Sequence, residues 1–395
     1  MKRLILLFFL FVVFSCSISD LTIRHRAISS ENITLEDAKE DVYTILESLN
    51  SVKAQSSLKH RSIASTWTKS LDANNLLYVI NFEDSLGFAF VSNNPQIGFL
   101  GIAFNGNICE HDSLNNPGLK IVLSNLETYV KNKIRVADSI AYYTYGDWTD
   151  TQFYEPTTGY CPVKWNQGSY SGNQFNAYCP TINGYYCPAG CVAVATAQLM
   201  AMYKYPNVYN GYSFNWNSMI ANSASQNNQG EYYIARLLQQ LGLSQNLNIN
   251  YSLSGSSAYT SDVPQTLENF GYSNGGTYGF FTNSTFQEMM NGYPIIIRGE
   301  TSLGEGHSWL GHGVLKQTRE IIGYKENGEI MYYGNEARLL VLCNFGWGGI
   351  GDGFYLAGAF TTSSGPLSPD PTMSFSINGA YDFPYSIRCV SGIRY

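Results

Sequence analysis

The stretch from 190 to 206, GCVAVATAQLMAMYKYP, limits what this chain can fold into more than any other. Its residues are apolar almost all the way round a helical wheel, and such a helix is stable only when other elements enclose it. Lys204 follows the last apolar positions and Pro206 supplies the stop. The pattern predicts a central, buried helix beginning near Cys191. A sulfur at that start lies at the positive end of the helix dipole, where a thiolate is stabilised and its pKa falls. That environment suits a nucleophile. It also suits a small buried hydrophobe, because unpaired cysteine is among the most buried residue types. The helix alone leaves both readings open.

An enclosed helix needs a large apolar surround, and the composition supplies one: 44% of the 395 residues are apolar and only 13% are charged. The length fits two folded units after a leader. Thirty Tyr, 21 Phe and 37 Gly predict aromatic, half-buried strands joined by glycine turns. The net charge of −7 leaves no basic stripe to neutralise phosphates, so nucleic acid is not an expected partner.

Lys2 and Arg3 precede eleven apolar residues, 4–14, too few to span a bilayer, so residues 1–15 read as an export signal. The segment ends VFSC at 13–16, a small residue before cysteine, which resembles the lipobox of bacterial lipoproteins. Cys16 is therefore the candidate lipidated residue, and the anchor would be the chain's sole link to a membrane. Phe14 is bulkier than the usual occupant of its position, which leaves ordinary cleavage open. The expected location is the outer membrane or cell surface as a lipoprotein, or the medium as a secreted protein. Seven cysteines follow: Cys109, Cys161, Cys179, Cys187, Cys191, Cys343 and Cys389. In an exported chain they can pair. Cys187 and Cys191 stand four apart, and a bridge between them would silence Cys191. No second His/Cys cluster has ligand spacing, so neither a metal nor a cofactor is expected.

Residues 17 to about 32 are polar and read as a tether, and 17–136 as a whole as one α+β unit. Thr34 to Asp37 reads as a capping box, and Leu35, Ala38, Val42, Ile45, Leu46 and Leu49 follow at helical spacing. LLYVINF (76–82), GFAFVSN (87–93) and IGFLGIAF (97–104) predict an antiparallel meander. Val122, Leu126, Tyr129 and Val130 mark a second helix, ending in Lys131, Lys133 and Arg135. His60 and His111, in polar surroundings, read as surface residues. Residues 137–160 lack a period and carry Gly, Asp, Thr and Pro, as a linker would. The second unit, 161–395, has helical patterns at 191–203, 231–242 and 263–270. Strand patterns follow at 294–298, 308–315, 321–324, 331–334, 338–345 and 353–358. Helices first and strands later predict an α+β domain with an antiparallel sheet.

Two of the five histidines fall together in GEGHSWLGHG, 304–313. His307 and His312 are five apart, so on one regular strand they face opposite ways and only one can address a given thiol. A cysteine nucleophile needs a histidine to hold its proton, and that histidine needs an orienting group, which an Asn can be. CNFGWGG (343–349) supplies Asn344, followed by an aromatic and glycines that permit close backbone approach. Trp165-Asn166-Gln167 lies before the cysteine, and Gln167 can donate to a developing oxyanion together with the Cys191 N–H.

These segments, WNQ (165–167), GCVAVATAQLMAMYKYP (190–206), GHSWLGHGV (306–314) and NFGWGGIGDGFY (344–355), resemble the streptopain family of papain-like cysteine peptidases. Order and spacing match too, with His307 116 residues beyond Cys191 and Asn344 37 beyond His307. GFAFVSNNPQIGFLGIAFNG (87–106) resembles that family's inhibitory propeptide. The resemblance implies a papain-like α+β fold in two subdomains, a helical one carrying the Cys helix and a sheet carrying His and Asn, preceded by an inhibitory prodomain acting on its own catalytic half. It implies Cys191 as nucleophile, His307 as its acid–base partner, Gln167 as oxyanion donor, and Asn344 orienting or flanking His307. Trp347 and Phe345 would wall the substrate cleft. Phe345 replaces the first Trp of an NWGWGG motif, and His312 stands where GHAFVIDG-like strands carry Asp; the second change introduces a group that can alter pH response.

The expected function is a secreted or surface-anchored endopeptidase acting on polypeptides and made as a zymogen, activated by a cut within 137–160. The alternative is a disabled peptidase fold serving as a binding lipoprotein. Acyl transfer to an amine uses the same residues. Specificity would reside in loops such as 253–257 and 301–303.

Overall fold

Period-two alternation in the N-terminal third builds a sheet that is buried on both faces. A computed structural model describes residues 32–50, 61–110, 114–132, 142–168, 174–221, 228–362 and 383–395. The N-terminal unit comprises α1 (Leu35–Asn50), β1 (Ile63–Ser70), β2 (Leu76–Phe82), β3 (Phe88–Ser92), β4 (Phe99–Ala103) and α2 (Pro117–Asn132). Leu77, Val79, Phe88 and Phe90 face one core with Leu119, Val122 and Leu126 of α2. Their neighbours Tyr78, Ile80, Ala89 and Val91 face the other, beneath Ala38, Val42, Ile45 and Leu49 of α1. The capping box forms reciprocally: Thr34 N–H donates to Asp37 Oδ2 (3.1 Å) and Asp37 N–H to Thr34 Oγ1 (3.2 Å). The meander is antiparallel as expected. Strand β1 has no apolar alternation in IASTWTKS, because it is a largely solvated edge strand. The export signal 1–15, Cys16, the tether, His60, His111, Lys133, Arg135 and 137–141 lie outside the described residues.

Much of the rest of the expected linker is strand, ending in turns at 155–160. Residues 142–154 form β5 (Tyr142–Tyr145) and β6 (Thr149–Tyr154). Both pair antiparallel with one long strand of the C-terminal half. Their mixed composition hid the period, since that strand's backbone supplies the pairing whatever side chains they carry.

The C-terminal half begins with small hairpins and helices: β7 (Thr181–Ile182), β8 (Tyr185–Tyr186), α3 (Cys191–Tyr203), β9 (Val208–Tyr209), β10 (Tyr212–Ser213), α4 (Trp216–Ala221), α5 (Asn228–Leu241) and α6 (Val263–Asn269). Helix α3 is buried from Val192 to Met202, with Ile234, Leu237, Leu238 and Leu241 of α5 among its surround. Then come β11 (Thr277–Phe280), α7 (Asn283–Met290), β12 (Ile295–Glu300), β13 (Gly306–Tyr324), β14 (Ile330–Asn344), β15 (Gly353–Leu356) and β16 (Ser386–Ser391).

The separate runs 308–315 and 321–324 are one strand, β13, and 331–334 and 338–345 belong to one strand, β14. The pattern broke between them because the inward positions there are polar. Arg319 pairs with Glu336 (2.7 Å), and Arg338 donates to Gln317 Oε1 (2.8 Å) and Asp41 Oδ1 (3.1 Å) of α1. Trp148 stacks between both guanidiniums, 4.4 Å from each. Buried charge needs such partners.

One sheet runs through both halves in the order β1-β2-β3-β4-β15-β14-β13-β12-β16-β11, with β5 and β6 on the second half of β13. The junction is the antiparallel pair β4 and β15, Ala103 opposite Gly353. The architecture is α+β, as expected, but the N-terminal unit continues the C-terminal sheet rather than standing beside it.

Candidate active site

Helix α3 starts at Cys191 because Gly190 adopts φ +88°, a turn that a side chain would strain. The first N–H groups of the helix have no intrahelical partner, which leaves its N-terminus, where Cys191 stands, partially positive. His307 stands near the start of β13, opposite Gly299 of β12, and is 3% exposed. The Cys191 and His307 side chains are mutual hydrogen-bond and charge partners, and Ser308 N–H donates to the sulfur.

Burial pushes the Cys191 thiol up, but the His307 charge and hydrogen bond, Ser308 N–H and the Arg298 charge outweigh it, and its pKa is lowered. His307 is pushed down by burial and lifted further by Cys191 and by the Phe345 carbonyl, so its pKa is raised. The two directions together describe a thiolate–imidazolium pair. The contrast with other thiols is sharp: burial pushes Cys161 and Cys179 up to about 12 and Cys389 to about 11. Cys191 is a free thiol, as are Cys187 and the other described cysteines, so the bridge that would silence it is absent.

Asn344 is not the direct partner of His307. His307 Nε2 lies 2.8 Å from the Phe345 carbonyl oxygen. A carbonyl only accepts, so Nε2 carries the proton and Nδ1 is left for the sulfur. The Asn344 side chain turns the other way, toward α3. Its Oδ1 accepts from Gln198 Nε2 (2.8 Å) and from Gly346 N–H (3.1 Å), and its Nδ2 donates to Val163 O (2.8 Å). Strand alternation separates residues 344 and 345 onto opposite faces, and the 345 backbone is what reaches His307. Asn344 still acts on the histidine at one remove, because Gly346 N–H belongs to the same peptide unit as the Phe345 carbonyl. Donation at one end of an amide strengthens acceptance at the other.

Trp347 meets the His307 ring edge-on at 6.2 Å between centroids, and Trp309 stacks parallel at 6.4 Å. Phe345 is fully buried between Trp309 and Tyr355 rather than lining an open wall. The Gln167 carbonyl accepts from Ala189 N–H (3.1 Å), which ties that residue two positions before Cys191. His312 is no pH-responsive group at ordinary pH: burial pushes it down to about 3. It stays neutral and accepts from Cys161 N–H at Nδ1 (3.2 Å), fastening the start of the catalytic half.

The N-terminal unit lies directly on this site. Gly118 of α2 packs so closely that an added Cβ would stand 2.3 Å from Phe345 Cδ1 and 3.0 Å from His307 Cδ2. Ile121 packs against Gly299, the neighbour of His307 across the sheet. Asn116 Nδ2 donates to Ile350 O (2.7 Å) and Phe104 N–H to Asp352 O (2.8 Å). Sequence reasoning missed Gln198, Arg298, Ser308 N–H, the Phe345 carbonyl and Asp352. Backbone groups leave no mark in residue type. Gln198 is the exception: a lone amide seven residues after Cys191, inside an apolar helix, is a readable signal.

The enclosed cysteine helix packed on an antiparallel sheet that carries the histidine defines a papain-like cysteine peptidase domain. Residues 165–355 match the model of the Peptidase C10 family. Streptopain of Streptococcus pyogenes serotype M1 is 26% identical over 51% of this chain and 55% of its own, and streptopain of Streptococcus pyogenes matches at the same identity. The chain thus spans about half the length of the curated relatives it matches. Over these residues it resembles the streptopain family of cysteine peptidases. Among solved structures, a fragment of Prevotella intermedia prointerpain A with a cysteine-to-alanine substitution shares the fold. It aligns at TM-score 0.52 and 19% identity over 84% of this chain and 99% of its own.

Proposed function

We propose that this chain is the zymogen of an exported cysteine endopeptidase acting on polypeptides. The observation that carries the reading is the lowered Cys191 thiol paired with a raised His307 beneath α2. In the reaction, the Cys191 thiolate attacks the scissile carbonyl carbon, and the oxyanion is held by the Cys191 N–H and the Gln167 amide. His307 passes its proton to the leaving amine, which departs and leaves a thioester. Water then attacks the thioester as His307 takes its proton, releasing the acid and restoring the pair. Asn344 and the Phe345 carbonyl hold the imidazole in the tautomer this requires, and Trp347 walls the site.

Residues 32–132 serve as the intramolecular inhibitor, since α2 covers the histidine and β4 extends the catalytic sheet. The chain leaves the cell behind its leader, anchored through Cys16 where that residue is lipidated. The deciding test is to purify the full chain and follow peptide hydrolysis against cleavage between the two halves. Activity should appear only with cleavage and vanish in Cys191→Ala; full activity in the uncut chain would refute latency. Mass spectrometry of the mature N-terminus distinguishes a lipidated Cys16 from a free cut end.

A further inference from the structure

We propose that Asp352 is a positioning residue for the catalytic histidine, acting through Phe345; this rests on the peptidase reading above. Between β14 and β15 the chain runs through a loop with Gly346, Gly348, Gly349 and Gly351 all at positive φ. Such a loop has little stiffness of its own, since glycine restricts the backbone least. Yet this loop carries the carbonyl that orients His307. Asp352 ties its two ends together. Its Oδ1 accepts from Phe345 N–H at 2.8 Å, and its own N–H donates to Gly349 O at 3.3 Å. Phe345 is thereby held on both sides, by Asp352 at its N–H and by Asn344 through the following peptide.

The N-terminal unit steadies the same loop by main-chain bonds, Phe104 N–H to Asp352 O (2.8 Å) and Gly351 N–H to Asn105 O (3.1 Å). When that unit leaves, those bonds go with it and more of the loop's hold falls to the Asp352 carboxylate. Asp352 therefore matters more in the activated form than in the uncut chain.

The tie is also titratable. Desolvation pushes the Asp352 carboxyl up to about 7, against the opposing pull of Phe345 N–H and of Lys164. The other titratable groups facing it are Cys161, Cys343 on β14 and Tyr355 on β15, all held neutral there by burial. Above that pH the carboxylate makes a charge-assisted bond to Phe345 N–H, and below it a weaker neutral one. Once the N-terminal unit leaves, some of that burial is lost, so turnover of the processed form should rise through an inflection at or below pH 7.

Full-length chains carrying Asp352→Ala and Asp352→Asn are compared with wild type in peptide hydrolysis across pH, before and after processing. Asp352→Ala should lower kcat about tenfold or more with KM within about twofold, the pattern of lost positioning rather than lost binding. Asp352→Asn keeps an acceptor for Phe345 N–H, so it should retain kcat within about threefold while losing that inflection. Asp352→Ala with kcat unchanged, or with KM alone raised, overturns the proposal. Should the alanine variant fail to fold, an inflection that persists in Asp352→Asn overturns it. Should wild type hydrolyse no peptide, the peptidase reading falls, and the pH profile of Cys191 alkylation in the same variants decides: profiles identical to wild type overturn the role of Asp352.

Discussion

Gly118→Ala should partly unlock the enzyme. The added methyl would stand 2.3 Å from Phe345 Cδ1 and 3.0 Å from His307 Cδ2. Neither ring has room to yield: Phe345 is fully buried, with ring centroids of Trp309 at 5.7 Å and Tyr355 at 5.6 Å. Overpacking of this kind costs about 1–3 kcal/mol. Alanine in place of glycine stabilises a helix interior by up to about 1 kcal/mol, and by less at 118, the second residue of α2. The net weakening of the contact is about 1–2 kcal/mol, or roughly 5–30-fold in the population with α2 lifted. The assay is the basal peptide hydrolysis of chain that electrophoresis shows to be uncut, together with its thermal midpoint. A basal rate raised by about that factor is expected, with Cys191→Ala abolishing it. An unchanged rate alongside a lowered midpoint would refute the reasoning, because the strain would then unfold the whole molecule rather than lift α2.

The remaining predictions concern the pair and its supports. Because Cys191 is lowered and His307 raised, iodoacetamide labelling of Cys191 should stay fast below the ordinary thiol range near 8.5, and hydrolysis should fail on the alkaline side only above the ordinary imidazole range. His307→Ala should slow labelling at pH 6 by about a hundredfold, and a variant labelled as fast as wild type would remove the ion pair from the account. Asp41→Ala strips a carboxylate from the buried Arg338, which keeps Gln317, at about 1–3 kcal/mol; calorimetry should find a lower midpoint and hydrolysis a higher basal rate. Asn344→Ala leaves Gln198, Gly346 and Val163 short of partners, so both stability and kcat should fall, whereas a direct Asn344–His307 contact would have predicted loss of kcat alone.

Much of this was legible in the chain. The boundaries of α3, the meander, the capping box at Thr34 and the separation of His307 from His312 all follow from local periodicity, which residue type records directly. The strands at 142–154 and the middle of the β13–β14 hairpin were not, because their order comes from long-range pairing and from charges buried in pairs. How Asn344 acts on His307 was not legible for a related reason: a motif fixes which residue stands at a position, but not which way its side chain turns.

By itself the sequence determined the central helix and the residue types a thiol mechanism needs, since each is carried by spacing along the chain. Only the tertiary structure decided that a backbone carbonyl rather than an amide holds His307, and that the N-terminal unit shares its sheet with the catalytic half. Backbone groups are the same in every residue, and strand pairing joins segments far apart in sequence, so neither can be read until the chain has folded.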